Sequence, residues 1–207
     1  MEDFGGGDTH TGAFMISEAI RWRRLDAPGH DACRLRQSRT GWQLDGAAAF
    51  RHGGTSAQLT YRVACDRAWR TLKGAVSGWI GQKTVELIAS RRADGQWTLN
   101  GAAVSHLDGC LDLDLGFTPA TNLFQLRRLA LDHGEGADVP VAWLDVAAGT
   151  LDVLHQRYER RRGETYWYEA PRFDYAALLE SSPIGFVRRY PGLWEAEPDS
   201  ARDRDDH

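Results

Sequence analysis

Cysteine is scarce. Cys33, Cys65 and Cys110 are the only three in 207 residues, and none has a C-x-x-C partner. An odd count without that spacing argues against a disulfide framework and against a zinc ribbon. Each cysteine lies in an apolar or alternating run and reads as a small buried residue. Charge excess is lacking too: the net charge is −4 and the pI is near 6.0. No global basic field would draw in nucleic acid. The clusters Arg21-Trp22-Arg23-Arg24 and Arg160-Arg161-Arg162 have acids around them and read as solvated strand faces. No run approaches the ~18 apolar residues of a membrane span, so membrane insertion is not expected. Residues 1–18 lack the basic and apolar regions of a signal peptide, and the expected location is the cytoplasm.

The familiar catalytic motifs are missing as well. In Gly74-Ala75-Val76-Ser77-Gly78 the serine stands one place late for a nucleophile elbow. There is no H-E-x-x-H and no glycine-rich phosphate loop. Ser105 and His106 are adjacent, and neighbours on a strand point to opposite faces. No cofactor, metal or catalytic residue is assigned from the residues alone.

What is present is strand after strand. Apolar residues make up 42% of the chain and charged residues 26%, enough for a sizeable soluble core. "GWQLDGAAAF" puts Trp42, Leu44, Gly46, Ala48 and Phe50 on one parity, and "AQLTYRVACD" does the same with Ala57, Leu59, Tyr61, Val63 and Cys65. Turn residues recur every eight to twelve positions, with Asp94-Gly95 the strongest hairpin signal. Such spacing favours a sandwich or barrel built from meanders, and no helical crossover of the length a parallel βαβ unit needs is visible. One helix is expected near 119–131: Thr118 caps it, Pro119 begins it, and Leu123, Leu126 and Leu129 form its stripe. "FDYAALLE" reads as a second, weaker helix or a strand. Glycines inside strand patterns (Gly46, Gly74, Gly78, Gly101) are expected at bends of a strongly curved sheet. One domain over 19–195 is expected, between a flexible segment (1–18) and a disordered acidic tail (196–207).

The stretch "LDGCLDLDLGFTPATN" (107–122) alternates leucines with Asp108, Cys110, Asp112 and Asp114. As a strand it would hold carboxylates roughly 6.5–7 Å apart on one face, the spacing of an inverting glycosidase pair. Any strand with one wet face has the same spacing. The eight tryptophans spread over many strands, and "TYWYE" adds Tyr166 and Tyr168 around Trp167. Aromatic faces of this kind pack cores and edges, and they also line apolar or sugar-contacting cavities.

"YRVACDRAWRT", "DLDLGFTPATN" and the closing "YPGLWE" resemble the glycolipid-binding family first catalogued as a bacterial domain of unknown function. The resemblance runs from about Trp22 to Trp194, and "DLGFTPATN" is its most specific part. It implies a mainly β fold: a large antiparallel sheet curved into a half-barrel or open barrel, with one or two short helices packed on the concave side. That shape is similar to bacterial lipoprotein carriers, which hold acyl chains in an apolar cavity. The expected function is binding of a lipid, glycolipid or similar amphiphile. The ligand-cavity candidates are Trp42, Tyr61, Arg62, Trp79, Glu86, Asp112, Asp114, Asn122, Trp143, Tyr166, Trp167 and Tyr168.

Two other readings stand beside it. One is a hydrolase acting on a small glycosidic or ester substrate through Asp112 or Asp114, with Glu86 or Glu169 as partner. The other is an interaction protein whose edge strands form a homodimer. For the acidic stretch, either the leucines face inward with the acids in solvent, or the acids line a mouth and pair with Arg62 or Arg127. Burial favours leucines inward.

Overall fold

In the computed structural model, which describes residues 17–198, the chain forms one open sheet of fifteen strands. The first arm is a meander: β1 (Ser17–Arg24), β2 (Gly29–Gln37), β3 (Gly41–His52), β4 (Thr55–Asp66), β5 (Thr71–Ile80), β6 (Lys83–Arg91), β7 (Trp97–Leu99) and β8 (Ala102–Val104). The second arm is β10 (Gly136–Asp145), β11 (Thr150–Arg160), β12 (Thr165–Ala170), β13 (Tyr175–Ser181), β14 (Val187–Tyr190) and β15 (Trp194–Ala196). Antiparallel pairing of β1 with β15 joins the arms, through Trp22↔Ala196, Arg23↔Glu195 and Arg24↔Trp194. The short hairpin connections explain the order, since sequential antiparallel strands need only tight turns between them. Most of the 1–18 and 196–207 expectations fall outside the described residues; Ser17 and Glu18 open β1, and Ala196 closes β15. No helix among the described residues is long and apolar enough to cross a membrane.

Alternation decides which face is buried. Cys33 and Leu35 of β2, Leu44, Ala48 and Phe50 of β3, and Leu59, Tyr61 and Val63 of β4 all turn into the core. Their register partners line up across the sheet, for example Leu35↔Leu44↔Val63. The intervening residues, such as Arg34 and Arg62, are exposed on the outer face.

The segment after β8 departs from the sequence reading. Residues 107–115 do not form a long strand; only β9 (Leu113–Asp114) is extended in the sheet, and it pairs parallel with β10 through Ala142↔Leu113 and Trp143↔Asp114. This is one parallel pair where an all-antiparallel sheet was expected, and a helical crossover does connect it. A three-residue helical turn, Pro119–Thr121, leads into α1 (Asn122–Leu129). Thr118 caps that turn by accepting from the Ala120 amide at 3.1 Å, and Pro119 starts it as expected. Ala130 ends α1 in the left-handed conformation. "FDYAALLE" resolves into a single turn at Pro171–Phe173 followed by β13.

Residues 110–126 occupy the concave side, because both arms reach them. The Leu111 carbonyl accepts from Thr71 of β5, and the Cys110 carbonyl accepts from Trp97 Nε1. From the other arm, the Ala142 amide donates to the Asp112 carbonyl at 2.9 Å. Leu113, Leu115, Leu123 and Phe124 are fully buried there. Each contributes on the order of 1.5–3 kcal/mol by leaving water. The strand glycines make room for this filling rather than marking bends alone. A Cβ on Gly74 would lie 2.2 Å from the Leu113 side chain, and one on Gly46 would lie 2.2 Å from the Tyr61 ring. Gly101 is not in a strand; it takes positive φ in the turn between β7 and β8.

Candidate functional site: a buried polar lining and an open seam

Three groups of polar side chains hold the filling segment, two against the sheet and the third to its own helix α1. The first is at its helical cap. Asp31 of β2 is 1% exposed and shares the inward parity of Cys33 and Leu35. Its Oδ2 accepts from the Tyr61 hydroxyl at 2.9 Å and from the Thr118 hydroxyl. Its Oδ1 makes no hydrogen bond among the described residues. Burial without a cation nearby pushes the Asp31 carboxyl up to about 7, against the opposing pull of Thr118, Tyr61 and the Ala32 amide. The Tyr61 ring reaches this carboxyl because it lies flat over Gly46, with Phe117 edge-on at 5.7 Å. Gly46→Ala should therefore cost about 1–3 kcal/mol by overpacking. In a Tyr61→Leu background the same change should cost under about 1 kcal/mol. Urea unfolding of the four proteins measures this; equal costs in both backgrounds would show that Gly46 does not act through Tyr61.

The second group runs through the wall of the second arm. Gln156 Nε2 donates to Asp114 Oδ2 at 2.7 Å, and the Gly116 amide donates to Asp114 Oδ1 at 2.7 Å. Asn122 Nδ2 donates to the Tyr158 hydroxyl at 2.7 Å, which donates to Gln156 Oε1 at 3.2 Å. Burial raises the Asp114 carboxyl, while Gly116 and Gln156 oppose the shift. Gly116 must be glycine: its φ is +62°, and a Cβ would lie 2.5 Å from Trp143 Nε1. The third group is a two-pronged ion pair. Arg128 Nη2 and Nε donate to Asp112 Oδ2 at 2.6 and 3.0 Å, with the Asp112 side chain fully buried. Burial raises Asp112, and Arg128 works against it.

These contacts correct the reading of the acidic stretch. Asp112 and Asp114 are not in solvent, and neither pairs with Arg62 or Arg127; both parities are buried over 112–115, while Asp108 is exposed as the solvent-facing reading expects. Arg127 instead lies over the Trp69 ring at 5.2 Å, and Arg62 Nε donates to Asp45 at 2.5 Å on the outer face. The two acids do not face one another across a cleft, since each is engaged by a different partner. Asp31, Thr118, Gln156, Tyr158 and Arg128 were missed. Asp31 and Gln156 carried a readable signal, a polar residue next to apolar ones on the same parity: Cys33 and Leu35 after Asp31, Leu154 and Tyr158 around Gln156.

The other candidates scatter. Tyr166 and Tyr168 are buried, and Tyr168 lies 4.9 Å from Tyr158 and 5.5 Å from Tyr190. Trp42 is half-buried and stacks on Trp69 at 4.3 Å. Trp143 is half-buried, with the Arg172 guanidinium 4.8 Å from its ring. Trp167 donates to Glu169 at 2.8 Å and Glu86 is exposed, both on the outer face. Trp79 is 40% exposed beside a shallow outer groove of about 400 Å³. Of the twelve, Trp79 alone lines that groove. The cysteines are free and buried, and burial pushes Cys33 well up and Cys110 up to about 11.

The larger opening lies where β1 runs out of partner. Beyond Arg21, whose carbonyl accepts from the Glu197 amide, residues 18–20 pair with β2 alone among the described residues. A pocket of about 730 Å³ sits at this seam, and Ser182, Pro183 and Arg188 of the second arm also line it. Ile20, Ala32 and Ala196 give it apolar surface; Arg21, Arg34 and Arg188 give it charge.

No functionally curated protein matches the chain. Among solved structures, a DUF1089 family protein from Pseudomonas aeruginosa is similar with a TM-score of 0.70 and 24% identity. The match covers 94% of this chain and 99% of that one, and it shows the shared fold. A family model described as "Putative glycolipid-binding" matches residues 19–196, and the chain belongs to that family.

Proposed function

We propose that the protein is a non-catalytic binding protein for a lipid, glycolipid or similar amphiphile, and that the seam pocket receives it. The observation that carries this is the pocket itself. Its volume of about 730 Å³ falls within the range of small-molecule sites, and it combines apolar surface with charged groups, as an amphiphile requires. Membership of the family supports a binding role. The concave interior, the expected place for an acyl chain, is filled by Leu113, Leu115, Phe117, Leu123 and Phe124, so the ligand is assigned to the seam.

Native mass spectrometry of the protein from its own host, followed by solvent extraction, tests the reading. A co-purifying amphiphile near one per chain is the expected result. Ala32→Trp adds bulk to the pocket at an exposed position and should weaken loading of a dodecyl-chain probe about tenfold, or 1.4 kcal/mol. Ala103→Trp, exposed on β8, should leave loading unchanged. Equal loading in all three proteins would remove the seam as the site.

A further inference from the structure

We infer that the seam pocket selects an anionic headgroup, a phosphate or carboxylate, through Arg34 and Arg188. The inference rests on the proposed seam site and names the chemistry of its ligand. Asp45 stands directly across from Arg34 in the β2–β3 register, where an ion pair would be expected. It is already taken: Asp45 accepts from Arg36, from Arg62 Nε at 2.5 Å and from Gln43 Nε2 at 2.8 Å. Arg34 makes no ion pair among the described residues, and neither does Arg188. Arg21 is matched by Glu197 at 2.7 Å. Glu18 is the remaining acid of the lining, and it sits in register with Leu35, on the opposite face of β2 from Arg34.

The lining itself carries three arginines (Arg21, Arg34, Arg188) and three acids (Glu18, Asp45, Glu197). Arg21 answers Glu197, and Arg36 and Arg62, outside the lining, answer Asp45, which leaves Arg34 and Arg188 without an ion pair among the described residues. A guanidinium offers forked donors that match a phosphate or carboxylate, and a neutral sugar would leave that charge unanswered. Ala19, in register with Arg34, and Ala32, two places before it, give the pocket apolar surface on the same face as Arg34, placed to take the chain of such a molecule.

Dodecyl phosphate and dodecyl maltoside share a chain and differ in headgroup, so titrating both below their micellar concentrations isolates the headgroup term. Inorganic phosphate alone separates a free anion from a lipid headgroup. The full-length protein should bind dodecyl phosphate roughly ten- to a hundredfold more tightly than dodecyl maltoside. Arg34→Gln with Arg188→Gln should abolish that preference and leave maltoside binding intact, which also shows that the variant is folded. Raised salt should narrow the preference. Inorganic phosphate binding as tightly as dodecyl phosphate would keep the anion site and defeat the amphiphile reading. Equal binding of the two amphiphiles, insensitive to the arginine changes, would overturn the anion inference while sparing the amphiphile reading. No binding of any of the three probes would overturn both.

Discussion

Arg128→Met should destabilise the protein by about 3–5 kcal/mol at pH 7, the range for breaking one partner out of a buried ion pair. The Asp112 side chain has no exposed surface, and Arg128 supplies all three of its side-chain hydrogen bonds. Methionine keeps the length and apolar stem of the arginine but removes the charge. The stranded carboxyl then has one escape, which is to take up a proton. Holding it neutral at pH 7 costs roughly 1.4 kcal/mol for each pH unit above its unfolded value near 3.9, or about 4 kcal/mol. The penalty should therefore shrink to about 1–2 kcal/mol at pH 5, where protonation is cheap. Arg91, the other cation acting on Asp112, limits the size of the loss.

Asp112→Asn combined with Arg128→Met should recover most of the loss, since the amide carries no charge to strand. Urea unfolding of the wild type, the single variant and the double variant at both pH values reads all of this. A single-variant cost below about 1 kcal/mol, or a double variant no better than the single, would mean that the pair does not fasten the filling segment. Either result would also reopen Asp112 as a group free for other work.

The strands were legible in the sequence because one face of each is buried and the other is wet, which prints a period of two. Trp42 to Phe50 and Ala57 to Cys65 show it, and the structure follows. The helix was legible because Thr118 and Pro119 are local signals that need no tertiary context. The stretch at 107–115 misled for a physical reason. Asp108 is exposed, but over 112–115 the chain is enclosed, and there the leucines meet apolar neighbours while the acids meet Arg128, Gln156 and the Gly116 amide. Periodicity records residue type and says nothing about a partner forty residues away. The seam escaped for a similar reason: the register in which β15 stops alongside β1 depends on where two distant strands meet. Arg34 and Arg188 look like any exposed arginine until Asp45 is found occupied.

Asp31 should make the stability of the fold fall with rising pH, a sign that follows from the direction of its shift. The folded carboxyl titrates near 7 because burial disfavours its charge, and the unfolded one near 3.9. Below about pH 4 both forms are protonated, and the stabilisation from the neutral buried acid is fully present. As pH rises the unfolded chain loses its proton first, so stability falls by up to roughly 1.4 kcal/mol per unit until the folded group ionises near 7. Across that window the loss approaches about 4 kcal/mol. Asp112 and Asp114 are raised too and steepen the wild-type curve, but they are common to wild type and variant and cancel in the difference. Asp31→Asn keeps an oxygen to accept from Tyr61 and Thr118 and cannot ionise. The variant should match the wild type within about 1 kcal/mol at pH 4 and exceed it by several kcal/mol at pH 8. Urea unfolding of both proteins at unit steps from pH 4 to 8 gives the difference curve. A flat difference would place the folded Asp31 near its ordinary value, which in turn would require a cation or water at the Oδ1 atom that has no protein partner. A rising difference would make the junction between β2 and the capped turn before α1 a neutral acid bonded by two hydroxyls, strongest at low pH and loosened as the pH climbs from about 4 to 7.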